Sequence, residues 1–269
     1  MIDFSVITGL TIPEGEVKQI LDASGIALWE VKEQPNEWPE DLDTGLEFVS
    51  SNPFTVNVTT PRWDGTMEYC NSDEGWKAWD GSEISSGDNG GTQYIYIRGT
   101  GNTTVTSGSN YRWSLNGSDI QCNGNIENLL DYTIVKAGQH PTMGMYCYRS
   151  MFEGCTNLTT APSLPATTLA DYCYSNMFKG CTNLTTAPSL PATTLTKYCY
   201  SNMFNGCTKI KLSATETDTY TIPYRIPTTG TGTTITGDTA GMFTSTGGTF
   251  TGVPTINTTY YLDSSNSIV

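Results

Sequence analysis

Eight cysteines and one histidine are the residues of this 269-residue chain best suited to nucleophilic, redox or metal chemistry. Six of the cysteines obey a period. Cys147, Cys173 and Cys199 form one series, and Cys155, Cys181 and Cys207 another, each member 26 residues after the last. A reactive thiolate or a thiolate–metal centre needs a base or a further ligand beside the sulfur. The lone His140 falls outside both series, in the loop segment AGQHPT, and no zinc-type spacing is present. An even cysteine count invites disulfides, but residues at matching positions of a periodic array stack over one another, and small apolar thiols suit such a ladder. Buried free thiols are the first reading and disulfides the second. No phosphate loop, dinucleotide fingerprint or HExxH motif occurs, and no acid pair stands out as a glycosidase would require. The expectation is a non-enzyme with no catalytic residue, cofactor or metal site. Asp41 and Asp43 beside Gly45 lack the distal ligand of a calcium loop.

Binding chemistry has better candidates. Five of the six tryptophans, Trp38, Trp63, Trp76, Trp79 and Trp113, fall within residues 38–113. Aromatic rings beside carboxylates and amides are the usual materials of a sugar site. Trp76 and Trp79, in the turn-rich stretch EGWKAWDG, are the residues expected to be exposed for it. Their plainer reading is as core or cap residues. The second candidate surface is the threonine pairs Thr159–Thr160 and Thr185–Thr186, expected on the exposed face of short strands.

The elements that position these residues come from a tandem repeat. CTNLTTAPSLPATTL occurs at Cys155–Leu169 and again, letter for letter, at Cys181–Leu195. CYxxMFxGC occurs at Cys147–Cys155, Cys173–Cys181 and Cys199–Cys207. Period-matched units cannot bury their apolar side alone, so they stack into a solenoid with a continuous core. The expected core ladders are the two cysteine series together with Met151, Met177, Met203 and Phe152, Phe178, Phe204. Each unit should hold a short strand near Leu158 or Leu184. A helical or 3₁₀ turn is expected over 167–178 and its equivalents.

Around the array the chain divides as follows. Residues 1–34 suggest three short strands in a small attachment module that pairs with another chain or packs on a neighbour. Residues 35–43 are Pro-rich and acidic, like a linker. Residues 44–135 read as an all-β, sandwich-like domain with strands at 54–58, 66–69, 94–97 and 103–106, ending in a cap built on Ile126, Leu129 and Leu130. The solenoid of three coils follows at 136–212. Residues 213–269 form a C-terminal cap, with a degenerate fourth coil at Gly241-Met242-Phe243. The fold class is mainly β.

Charge is uneven. Residues 1–90 hold eighteen acids against four bases and carry the whole net charge of −14, while the rest balances at nine of each. With no basic patch to meet phosphates, nucleic acid is not an expected partner. No apolar run is long enough to span a bilayer as a helix. The opening MIDFSVITGL does not predict an export signal.

The order Cys-x-x-Leu, Thr-rich strand, Pro-x-Leu-Pro and Met-Phe-x-x-Cys resembles the BspA-type leucine-rich repeats of gut and oral bacterial surface proteins and of phages infecting gut bacteria. Tyr94–Tyr132 resembles the segment that leads into such arrays, and Thr8–Glu30 is similar to N-terminal segments of phage tail-associated proteins. The resemblance spans roughly residues 8–30 and 94–260. It implies a virion surface protein of head- or tail-fibre type that adheres to host glycan or protein and attaches to other virion proteins through its N-terminal module. A bacterial surface adhesin and a decoration protein without ligand are the alternatives. A homo-oligomer such as a trimer is compatible with this, although no heptad supports it.

Overall fold

The computed structural model describes residues 19–21, 27–30, 38–108 and 111–269. The protein is mainly β: among the described residues, seventeen strands form five sheets beside one α-helix. Residues 1–37 make a compact unit of their own. In it β1 (Gln19–Leu21) and β2 (Ala27–Glu30) pair antiparallel, with Ile20 opposite Trp29. The strand expected over residues 6–12 lies outside the described residues.

The second unit begins at Trp38, so residues 38–43 are not a free linker. The Trp38 ring meets Tyr94 and Tyr96 edge-on at 5.9 and 5.8 Å. Asp41 and a 3₁₀ turn at Leu42–Thr44 pack under Arg98. That arginine, 7% exposed, lies between the rings of Trp76 and Tyr132 at 3.9 and 4.0 Å. It donates to Asp41 (2.6 Å), Thr44 and Glu68. A buried guanidinium is tolerable only with such partners. Its demand for them folds the acidic Pro-rich stretch onto the sheet.

The larger sheet takes the order β12 (Leu158–Thr160), β11 (Ile120–Asn123), β3 (Leu46–Ser50), β9 (Thr92–Thr100), β5 (Thr66–Cys70) and β6 (Lys77–Ala78). β8 (Gly87–Asn89) also pairs with β9. The smaller sheet is β10 (Trp113–Asn116), β4 (Thr55–Val58) and β7 (Ile84–Ser85). Alternation sends Leu46, Phe48, Ile95 and Ile97 from one sheet, and Val56, Val58, Trp113 and Leu115 from the other, into a common core. Phe48 stacks on Trp113 at 6.1 Å across it. The strand expected at 103–106 does not form. Asp64 instead takes both Thr103 and Thr104 N–H groups, while Val105 and Thr106 donate to the Cys147 carbonyl. The cap residues Ile126, Leu129 and Leu130 are fully buried, the last two on α1 (Asn128–Lys136).

No continuous helix forms where the sequence predicts a helical or 3₁₀ turn in each repeat; single turns with i→i−3 bonds follow one another instead, for a specific reason. Odd-numbered N–H groups from Cys147 to Cys155 bond the carbonyl three residues back, as Arg149 does to Tyr146 and Met151 to Tyr148. Even-numbered ones reach the next unit: Tyr148 to the Cys173 carbonyl, Ser150 to Ser175, Phe152 to Met177 and Gly154 to Lys179. An α-helix would consume every N–H within itself. Here every second one is exported. The export repeats from the second unit to the third, and from the third to residues 238–244, where Tyr200 meets Asp238, Phe204 meets Met242 and Gly206 meets Thr244. Phe152, Phe178, Phe204 and Phe243 stack at 5.8, 5.8 and 5.5 Å.

Phe152 also meets Phe48 and Trp113 at 6.2 and 6.4 Å. β12, which belongs to the first repeat, runs parallel to β11. One core therefore passes through residue 135, and residues 38–269 are a single compact unit rather than three. At the far end β16 (Thr259–Asp263) lies between β14 (Leu212–Ser213) and β15 (Tyr220–Arg225), and β17 (Ser267–Ile268) runs parallel to β13 (Thr186–Ala187).

Phe178 lies inside this column of rings, with a ring on either side. Phe178→Ala should cost about 3–5 kcal/mol of unfolding free energy, the usual loss for a buried phenylalanine, read from urea denaturation of the whole chain. A loss below about 1 kcal/mol would show that the column does not carry the stability of the repeats.

Candidate ligand-binding surface

The residues with covalent chemistry are withdrawn from it by burial. All eight cysteines are free and buried. Cys147, Cys173 and Cys199 are fully enclosed, as are Cys181 and Cys207, and Cys155 is 6% exposed. The thiols of Cys155, Cys181 and Cys207 donate to the carbonyls of Trp113, Phe152 and Phe178, each in the layer before its own. Met151, Met177 and Met203 are likewise fully buried. Burial pushes the Cys155, Cys199 and Cys207 thiols up to about 12, and Cys147, Cys173 and Cys181 well above the usual thiol range. At neutral pH such sulfurs are protonated and poor nucleophiles. His140 contacts the 1%-exposed Glu127 carboxylate at 2.7 Å. Burial holds that carboxyl above its ordinary value, against the lowering effect of the histidine hydrogen bond. Among the described residues no three His, Cys, Asp or Glu side chains gather as a metal site would require, and no helix is long and apolar enough to cross a membrane.

The tryptophans expected to be open are not. Trp79 is 4% exposed, stacked on Trp63 at 5.3 Å and edge-on to Trp113 at 5.1 Å. Its indole N–H donates to the Ser82 carbonyl. Trp76 is half-buried, donates to Asp41, and has Arg98 over its ring. Glycines and charges around them read as a loop, but pairing of β6 with β5 draws the segment into the sheet.

Of the threonine pairs, Thr186 is buried and the other three are half-buried. The hydroxyls of Thr159 and Thr185 donate to the carbonyls of Ile120 and Thr159, and Thr186, 6% exposed, accepts the Ala161 N–H at 2.6 Å. Thr160 is half-buried. β17 covers the strand that carries Thr186. The hydroxyls of Thr159, Thr185 and Thr186 satisfy backbone groups between layers, which leaves Thr160 the one of the four with an uncommitted hydroxyl among the described residues.

A different surface repeats instead. Tyr146, Tyr172 and Tyr198 are half-buried and stack along the array, with ring centroids 5.0 and 4.9 Å apart. Among the described residues their phenol oxygens make no hydrogen bond. The first pair is tilted by 39° and the second stacked at 23°, so neighbouring rings cover part of one another's faces. All three have left-handed backbones, φ 64°, 58° and 55°, a conformation that costs a residue with a Cβ about 1–2 kcal/mol. In the next layer Gly237 (φ 74°) follows, and a Cβ there would fall 2.3 Å from a Tyr198 ring carbon. The triplet Tyr-Cys-Tyr, at 146–148, 172–174 and 198–200, carried the sequence signal for this ribbon. Its second tyrosines, Tyr148, Tyr174 and Tyr200, form a separate buried column.

A more open concavity of about 420 Å³ lies on the large sheet, lined by Leu42, Asp43, Glu47, Tyr96 and Asn123. Glu47 accepts from the Tyr96 hydroxyl and the Asn123 amide, so its carboxylate is committed to neighbouring side chains.

Comparisons with protein-family models, with curated proteins and with solved structures give no match to this chain. The reading of function therefore rests on the repeat and on this surface.

Two measurements check this description. At pH 8, a thiol reagent should label the native chain negligibly and all eight cysteines after denaturation; rapid native labelling would contradict the enclosed columns. Because folding raises these thiols, their protonated form is the one the fold favours. Their stabilising contribution is complete below the ordinary thiol pKa and declines as pH rises through about 9 toward about 12. For the ribbon, Tyr172→Gly should be more stable than Tyr172→Ala by about 1 kcal/mol, because only glycine tolerates the left-handed backbone without strain. Equal stabilities would refute that backbone assignment.

Proposed function

We propose that the protein is a non-enzymatic phage virion component of head- or tail-fibre type, in which the stacked units form a short leucine-rich-repeat solenoid that adheres to a host-surface glycan or protein. The observation that carries the reading is the residue-for-residue stacking of near-identical units, which repeats one half-exposed tyrosine along the array. Extended repeating surfaces of this kind suit polymeric or repetitive ligands better than a small substrate. The resemblance to BspA-type repeats supports the same reading, as does the withdrawal of every thiol from reactivity. In this proposal residues 1–34 attach to other virion proteins, and the unit beginning at Trp38 projects the array.

Mass spectrometry of purified particles from gut-bacterial cultures tests the placement. Peptides of this chain should appear at structural-protein abundance, and the full recombinant chain should compete with particles for host cells. Peptides found instead in the envelope of uninfected bacteria would replace the virion reading with an adhesin. Undiminished adsorption after deletion of the array would reduce the repeats to a spacer.

A further inference from the structure

We infer that the tyrosine ribbon is a site for an acidic polysaccharide, with Arg149 and Lys197 as the cations that meet its carboxylates; this rests on the adhesive reading of the same surface. The first ground is the local charge. In a chain of net charge −14, residues 141–212 hold five bases and only two acids, Glu153 and Asp171. Glu153 is shared by Arg112 and Lys179 at 3.2 and 3.4 Å. Asp171 accepts the Lys197 backbone N–H at 3.1 Å.

The second ground is where Arg149 and Lys197 sit; of the five bases, these two and Lys209 form no ion pair among the described residues. The Arg149 guanidinium lies over both Tyr146 and Tyr172, 5.3 and 5.5 Å from their centroids, and the Lys197 ammonium lies 5.7 Å from that of Tyr198. Neither has a carboxylate within salt-bridge distance among the described residues, whereas Arg98, Arg112, Lys77, Lys179 and Lys211 each do. The Arg149 Nε is buried and has no hydrogen-bond partner. That nitrogen is out of reach of an outside ligand, so an anion would meet the terminal amino groups, which make no hydrogen bond among the described residues; held against two rings, they are preorganised for a planar, two-oxygen anion.

The third ground is the ring geometry. Neighbouring rings of the half-buried ribbon cover part of one another's faces, and an aromatic edge carries the positive end of the ring quadrupole. Edges and free phenol hydroxyls favour oxygen-rich, negatively charged groups over the apolar faces of a neutral sugar. The repeat along the array, about one ring every 5 Å, offers several such contacts to one linear chain. Each contact is weak alone, and tethered contacts add through effective concentration.

The test uses the full chain and two probes with one backbone: a hexamer of galacturonic acid and its fully methyl-esterified form. In calorimetry at low salt the acid should bind, and the ester should bind at least about tenfold more weakly. Arg149→Gln and Lys197→Gln should each weaken the acid by about tenfold or more without changing the urea midpoint, and raising salt should weaken it further. Equal binding of acid and ester, or undiminished binding by both variants, overturns the inference and leaves the adhesive reading standing. So does binding of neither probe by a chain that still competes for host cells. Loss of that competition by the wild-type chain would instead remove the adhesive reading itself.

Discussion

The whole array depends on an alternation in the backbone. From Cys147 to Cys155 one N–H closes a tight turn and the next crosses to the following unit, and the pattern recurs at the same positions in the later units. Crossing bonds of 2.8–3.0 Å hold the units in fixed register. That register brings Phe over Phe, Tyr over Tyr and thiol beside the carbonyl of the preceding layer. A slip of one residue would exchange exported N–H groups for internal ones and leave both sets unpaired, at a cost of about 1–3 kcal/mol for each buried group. The alternation also demands a left-handed residue every fourth position: Tyr146, Ser150 and Gly154 in the first unit, and Gly237, Gly241 and Ser245 in the last.

This constraint accounts for the composition of the units. Of the three positions between successive left-handed residues, the first two point inward and take Cys-Tyr or Met-Phe, which fill the space between layers. Several enclosed thiols and hydroxyls serve the backbone, as Cys181 does for Phe152 and Thr186 for Ala161, whereas the buried Ser150 and Tyr174 hydroxyls have no partner among the described residues. In the last layer Asp238 and Thr246 stand where cysteines stand in the preceding one, and Asp238 accepts its own neighbour's N–H group. The array ends there because the chain covers it with β14, β15 and β16 rather than with another unit.

At the other end Arg98 performs the complementary task. Its three hydrogen-bond partners and two ring contacts join the turn at residues 41–44, the large sheet and the end of the segment holding α1. Burial alone would raise the Asp41 carboxyl. The hydrogen bonds from Arg98 and Trp76 and the arginine charge outweigh it and hold the group below the usual carboxylate range. Asp41 therefore supports the fold above about pH 4 and loses that contribution as pH falls through its lowered value.

Periodicity alone determined much of this. The 26-residue spacing of Cys, Met and Phe marks which residues share an environment, because equivalent positions of stacked units must face one another. The alternating apolar residues of β4, β5 and β9 likewise declared their strands. What one dimension could not carry was the partner of each polar group. Thr159 and Thr186 looked like surface residues because threonine is polar, yet the backbone of the adjacent layer claims their hydroxyls. Trp79 looked exposed because glycine and charge surround it, yet Trp63 and Trp113 lie far away in sequence and close in space. Tyr146 and Tyr148 are two letters apart in one motif, and only the sign of φ at Tyr146 sends one ring to the surface and the other into the core. That choice belongs to the tertiary structure, because it follows from which N–H groups the next unit can accept.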